Sequence, residues 1–258
     1  MDLGLTGKRA VVTGASRGIG LAVVRELRQE GVDVVAVSRN GSHELDETGA
    51  HAVRIDLTLA GGATLLTNRV ERHLGDVDFW VNCIGGPSLH DDLLHDDLLH
   101  DDLLHALQDS RPTLDLNVIT ALRLAELLVP RLIARRGAMV HIAGLAAHMP
   151  GAGPLIYSAA KAALIAISKG LAARYGPYGV RSNSISPGPT ATHMWEGVAA
   201  ANGVSLDGLH ASLPSQLGMT TGRMITAEEI ASLAVYLLST RAASITGADY
   251  VVSGGLRI

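Results

Sequence analysis

Short aliphatic runs alternate along the chain with longer segments in which apolar positions recur every three or four residues. The runs at 9–13, 32–38, 51–55, 77–81, 138–143, 180–186 and 248–252 predict strands, most of them rich in β-branched residues. The segments 18–30, 59–73, roughly 113–136, 154–175 and 227–239 predict helices, the last opened by Thr226 as N-cap with Glu228 and Glu229 in its first turn. Pro130 predicts a bend or a local end in the 113–136 helix. Strands separated by crossover helices imply a parallel sheet, with right-handed connections that place helices on both faces. The expected architecture is α/β: one Rossmann-like, doubly wound, seven-stranded domain over 1–258, its ligand beyond the carboxyl ends of the strands.

Composition narrows the class. Aromatic residues make up 3% of the 258-residue chain and apolar residues 47%, so aliphatic strands should pack closely against small-residue helices. No Pro/Ser-rich linker divides the chain. A net charge of −4, with scattered basic residues, argues against a nucleic-acid partner. No uninterrupted apolar run reaches the ~18 residues of a membrane span, and residues 1–10 lack the layout of a signal peptide. Cys83, the single cysteine, allows no internal disulfide and no metal-site spacing; a cytoplasmic protein without a metal is expected.

One low-complexity segment, 90–105, carries three copies of His-Asp-Asp-Leu-Leu and a closing His. On a helix, successive Leu pairs would rotate by about 140°, so no single face buries them all. The segment reads as a tandem insertion in the loop after the fourth strand, placed to border the site or a neighbouring subunit, in preference to a His/Asp metal tract.

Two constellations carry chemistry. Gly14, Gly18 and Gly20 follow a strand and open a helix, a turn that brings backbone amides against a pyrophosphate; Ser16, Arg17 and Ile19 share it. Tyr157 and Lys161, four apart on a predicted helix, put a phenol beside an ammonium. The second strand ends in Ser38-Arg39-Asn40 with no acidic residue to repel a 2′-phosphate, and Arg17 and Arg39 favour NADP(H).

With its Gly-x-x-x-Gly-x-Gly spacing, Asn82-Cys83-Ile84-Gly85, Asn117, Tyr157/Lys161, Asn183 to Gly188, Thr192, and Ile245-Thr246-Gly247, the chain resembles the short-chain dehydrogenase/reductase family over almost its whole length. The resemblance implies that Tyr157 exchanges a proton with a carbonyl or alcohol oxygen. It implies further that Lys161 lowers the phenol pKa and binds the nicotinamide ribose, and that Asn117 holds a water in the proton relay. It places Asp56, Leu57, Asn82 and Gly85 along the adenosine half, and Pro187, Gly188, Thr190 and Thr192 over the nicotinamide. Cys83 reads as a small buried residue rather than a nucleophile.

The resemblance breaks at one position. The family serine lies thirteen residues before the tyrosine, and here that position is Gly144, beside Ala143. Losing such a donor commonly costs ~3–4 kcal/mol of transition-state stabilisation. The substrate, a water or another side chain, with His148 nearest in sequence, would have to replace it, or the reaction is a different one such as enone reduction. Gly144, Leu145, His148, Met149, Met194 and Trp195 are the expected substrate contacts, the last two in a long lid at 189–221. The lid's apolar residues, with Leu145 and Met149, suggest a hydrophobic ketone or secondary alcohol, and the room left by Gly144 is compatible with a polycyclic or aromatic one. The apolar carboxyl-terminal run resembles the segment through which family members form homotetramers, or homodimers. The sequence thus points to an NADP(H)-dependent oxidoreductase, with a nucleotide-binding protein of little turnover as the rival of a different class.

Overall fold

In the computed structural model, which describes residues 2–86, 111–152 and 154–256, the aliphatic runs form seven strands. These are β1 (Arg9–Thr13), β2 (Asp33–Ser38), β3 (His51–Arg54), β4 (Phe79–Asn82), β5 (Ala138–Ile142), β6 (Arg181–Pro187) and β7 (Asp249–Val252). All are parallel, in the order β3-β2-β1-β4-β5-β6-β7. The chain winds outward to β3 and returns to β4, so the order reverses between β1 and β4. A ligand crevice opens there, at the carboxyl ends of those strands.

Helices cover both faces, as the long apolar-periodic segments predict: α1 (Gly18–Gln29), the short α2 (His43–Asp46), α3 (Gly62–His73), α4 (Arg111–Leu114), α5 (Thr120–Arg135), α6 (Leu155–Tyr175), α7 (Glu196–Ala201), α8 (Leu206–Leu217) and α9 (Ala227–Leu238). Alternate strand residues point to opposite sides. Val12, Ala36, Val81 and Val140 pack in one core with α1 and α9; Val11, Val35, Trp80 and Met139 pack in the other with α3 and α5. Both faces are covered, which is why the central strands β1, β2 and β4 read as near-continuous apolar runs, whereas β6 buries Ser182, Asn183, Ser184 and Ser186.

The structure corrects several expectations. Helix α5 runs on through Pro130 to Arg135. The irregularity comes earlier, as a π-helical turn at Asp115–Ile119 between α4 and α5. Helix α6 is by length and composition apolar enough to pass for a membrane span. It lies instead along β6, with Lys161, Ser158 and Ser168 buried on its inner face. The lid contains α7 and α8 rather than open loop. Thr226 caps α9 as expected, in a reciprocal pair with Glu229. The repeat at 90–105 lies outside the described residues.

Packing of α1 onto the turn that feeds it requires a missing side chain. A β-carbon at Gly20 would collide with the Gly14 carbonyl oxygen. Gly20→Ala should therefore cost about 1–3 kcal/mol in urea unfolding and weaken dinucleotide binding with it. Unchanged stability and affinity would show that the helix is free to shift.

Candidate active site

The turn after β1 is built for close approach. Gly14 has φ +76°, and a β-carbon there would stand 2.6 Å from the Cys83 carbonyl oxygen on the neighbouring chain segment. The amides of Gly14 and Ala15 both donate to Val37 O, at 2.9 and 3.0 Å. Arg17 precedes α1 in extended conformation, no side chain caps the helix, and its first turn has no acidic residue. The leading amides around Gly18, Ile19 and Gly20 thus fit an anion, and the positive end of the helix dipole adds to the fit. Ser16 ties the turn to the next loop by accepting the Ser42 hydroxyl on its carbonyl at 2.7 Å. The Thr192 methyl lies 3.2 Å from where Gly18 would carry a β-carbon, so the lid begins directly over the turn.

At the end of β2, Ser38 is buried and its hydroxyl accepts the Gly41 amide at 3.1 Å, which makes it a turn residue rather than an open ligand group. Arg17 and Arg39 are exposed, and neither forms a salt bridge among the described residues. Sequence reasoning missed Arg54. Register pairs it with Ser38, and its Nε lies 2.8 Å from the position of a Gly41 β-carbon, bringing another guanidinium to the same corner. Only the β2–β3 register could have signalled this. Asp56 accepts the Thr58 hydroxyl at 2.6 Å and the Thr58 amide at 2.9 Å. Those bonds hold its carboxyl below the usual range, with a smaller contribution from the charge of Arg39. Leu57 is buried beside it, and buried Asn82 accepts the Thr13 hydroxyl at 3.1 Å.

The catalytic candidates meet at the carboxyl edge of β4 and β5. Lys161 is buried on α6, with Nζ donating to Ile142 O at 3.1 Å and standing 5.5 Å from the Tyr157 ring centre. Asn117 sits inside the π-helical turn, fully buried. Its Nδ2 donates to Thr113 O at 2.9 Å and Gly86 O at 3.0 Å, and its Oδ1 accepts the Gly86 amide at 3.3 Å. Both amide hydrogens are therefore committed to backbone. Any water in a relay would have to use acceptor oxygens of this residue. A π-helical turn is a frequent companion of functional sites because it aims one extra residue inward. Gly85 is the hub: a β-carbon there would lie 2.5 Å from Lys161 Nζ and 2.6 Å from Asn117 Oδ1.

Loss of water dominates the electrostatics. Burial pushes the Tyr157 phenol up to about 12 and the Lys161 ammonium down to about 8. Desolvation is the cause of the raised phenol pKa in this arrangement. Burial likewise lifts the Cys83 thiol to about 12 against a smaller opposing pull from Lys161, so Cys83 is no nucleophile. Buried His141 on β5 is pushed down to about 4 and stays neutral against the edge of Trp80.

Gly144 is buried in extended backbone, φ 170° and ψ 152°. A β-carbon there would meet Tyr157 Oη at 3.8 Å and Lys161 Cγ at 3.7 Å, so the position faces the phenol. His148 does not point its Nε2 there; it pairs with Asp249 Oδ2 at 2.8 Å. Asp249 in turn accepts the hydroxyls of Ser184 and Ser186 at 2.6 and 3.0 Å. Leu145 is buried against Gly188, while Met149 is partly exposed. Pro187 closes β6, the Gly188 amide donates to Val252 O at 2.8 Å, and buried Thr190 bonds the Gly188 carbonyl at 2.9 Å. In the lid, Leu209, Leu213 and Met219 turn into the protein. Met194 is 54% exposed, and Trp195 donates its indole N–H to Thr190 O at 2.9 Å. Leu209, Leu213 and Met219 thus fasten the lid down, while Met194, Val198, Val204 and Leu217 stay exposed.

Gly85→Ala should displace Lys161 and Asn117 together. The expected result is a fall in turnover of about 10²-fold or more with a loss in stability of only about 1–3 kcal/mol. Steady-state kinetics beside thermal unfolding checks this, and full activity would remove Gly85 from the account.

A family model described as enoyl-(acyl carrier protein) reductase matches residues 14–257. The chain is 34% identical to D-threitol dehydrogenase of Mycolicibacterium smegmatis, over 100% of this chain and 95% of the relative. It is 32% identical to L-fucose dehydrogenase of Mus musculus, over 98% and 89%. Its fold superposes with a TM-score of 0.86 on L-sorbose reductase from Gluconobacter frateurii, solved with NADPH and L-sorbose, at 32% identity over 99% of this chain and 98% of that one. With the glycine turn, the Tyr157/Lys161 pair and Asn117 gathered at one sheet edge, the chain belongs to the short-chain dehydrogenase/reductase family and is an NAD(P)-dependent oxidoreductase.

Proposed function

We propose that the protein interconverts a ketone and a secondary alcohol on a small hydroxylated molecule, using NADP(H). The observation that carries this reading is the meeting of buried Lys161 and Asn117 at Gly85, with the half-buried Tyr157 ring 5.5 Å from Lys161 Nζ, at the edge where α1 presents its uncapped amides. Gly14, Ser16, Gly18, Ile19 and Gly20 would hold the pyrophosphate, Asp56, Leu57 and Asn82 would flank the adenosine, and Pro187 to Thr192 would cover the nicotinamide. Arg17 and Arg39, with Arg54 behind them, form the corner suited to a 2′-phosphate. The bound nicotinamide supplies or accepts the hydride.

The chain's own part is the proton. A phenol near 12 is protonated throughout the physiological range, so Tyr157 is ready as acid when a carbonyl is reduced. The Lys161 cation stabilises the charge left on the tyrosine oxygen as its proton departs. The substrate class is supported by names such as D-threitol dehydrogenase, L-fucose dehydrogenase and L-sorbose reductase, and by the inward packing of Leu209, Leu213 and Met219. Together these favour a small polar substrate over the hydrophobic or polycyclic one expected from the lid's composition and the room at Gly144. Reduction of a conjugated double bond is the second reading, favoured by the open position at Gly144 and by the description of the matching family model. The half-buried edge strand β7 supports assembly through that edge, as a homotetramer or homodimer.

Three measurements test the reading. Tyr157→Phe should lower ketone reduction by about 10²–10⁴-fold while NADPH still binds; intact turnover sinks the assignment. Arg39→Asp should raise KM for NADPH at least about tenfold and leave NADH use unharmed, whereas equal losses on both cofactors would contradict the phosphate corner. Lys161 carries its charge below about 8 and loses it as pH rises through that value. Reduction kcat/KM should therefore be flat near neutrality and fall above about pH 8, and a profile level to pH 10 would contradict a charged Lys161.

A further inference from the structure

Gly144 is not required by backbone or packing. Its conformation is extended, which any residue adopts, and a β-carbon would make only ordinary contacts with Lys161 and Tyr157. A side chain fits here, and the chain supplies none. The resulting space borders the phenol hydroxyl, and apart from the two chain neighbours only Lys161 Cγ and Tyr157 Oη, among the described residues, come within 4 Å of the β-carbon position.

The side chains that flank this position offer no donor aimed at it. Ala143 has no hydroxyl, and its amide is spent on Ile185 O at 2.8 Å. Leu145 packs toward Gly188. His148 is drawn to Asp249 at 2.8 Å, and Asp249 is fixed by Ser184 and Ser186. A carbonyl oxygen turning into an alkoxide offers more than one lone pair, and Tyr157 is the side-chain donor that borders this space. A second donor stabilising the developing charge commonly contributes 10²–10³-fold in rate.

Resting on the function proposed above, the geometry points to a substrate that brings this donor itself: a hydroxyl on the carbon next to the reacting carbon, seated in the Gly144 space. The substrate is then an α-hydroxyketone in reduction and a vicinal diol in oxidation. Vicinal oxygens can approach to about 2.7 Å, and although the five-membered ring bends the O–H···O angle to about 120° and weakens the bond, the hydroxyl reaches the reacting oxygen without displacing Tyr157. It is neither made nor consumed. The carbonyl carbon takes hydride from the reduced nicotinamide, the oxygen takes the Tyr157 proton, and the neighbouring hydroxyl only donates a hydrogen bond. Gly144 then sets specificity by leaving room for a group that a serine would replace.

The test uses the full-length protein with NADPH and ketone pairs in which methyl replaces hydroxyl: hydroxyacetone against 2-butanone, and 1-hydroxy-2-butanone against 3-pentanone. Wild type should favour the hydroxylated member at least about 100-fold in kcat/KM. Gly144→Ser should raise the plain ketone at least about tenfold and shrink the ratio, while Gly144→Ala, which fills the space without a donor, should depress the hydroxyketone and leave the plain ketone unimproved. Equal wild-type rates within a pair, turnover of plain ketones alone, or identical behaviour of the Ser and Ala variants would overturn the inference. Tyr157→Phe separates the two levels: if it leaves both ketones turning over, the proposed function itself fails, whereas a discrimination that vanishes with Tyr157 still essential removes only the role of the hydroxyl.

Discussion

A lysine ammonium withdrawn from water is the constraint around which this site is organised. Lys161 lies within the protein in the second turn of α6, with Ile142 O at 3.1 Å as its hydrogen-bond acceptor and the Asn117 carboxamide oxygen facing it across Gly85. Burying a cation with so few partners is unfavourable, and its pKa falls to about 8 as a result. The cost is offset only if nothing else occupies the gap. Gly85 therefore lacks a side chain, the π-helical turn swings Asn117 inward, and Asn117 clamps Gly86 by both its donor and its acceptor. Helix α6, the turn before α5 and the segment after β4 are locked into one unit by a charge none of them holds alone.

The same withdrawal from water sets the chemistry. Tyr157 shares the dry environment and keeps its proton, so the resting site is an acid beside a cation that is close to its own titration. A polar reaction is stabilised more strongly here than in water because the surrounding dielectric is low. The glycine turn adds the other half. Its tight packing against the segment after β4 brings the amides of α1 to the same crevice, so a dinucleotide bound there runs toward Tyr157.

Much of this was legible in the sequence, for definite reasons. Strands buried on both faces need continuous aliphatic residues, and the runs at Val11, Val35 and Val140 announce them within a residue or two of their observed ends. Thr226 and Glu229 mark the start of α9 because capping is a local interaction. The spacing of Tyr157 and Lys161 survives because α6 is regular there. Other features depend on contacts distant in sequence. His148 looks available in its loop until Asp249, 101 residues away, is seen to hold it. Arg54 joins the cofactor corner only through β2–β3 register. The π-helical turn inserts one residue into an apolar period that otherwise reads as a plain helix, while Pro130, the obvious irregularity, is absorbed. Lid residues Leu209 and Leu213 looked like pocket lining, but their spacing of four on α8 is that of an inward helical face.

The central claim is that a buried, titrating ammonium partners a protonated phenol, and the ammonium can be observed directly. The chain has three lysines, Lys8, Lys161 and Lys169, so a ¹³Cε-lysine NMR titration of the intact protein, with Lys161→Met to assign the signal, isolates it. A midpoint near 8 for Lys161 is the expected result. A midpoint at the ordinary value of about 10.4 would mean that the ammonium is solvated, and the account of the site would fail with it.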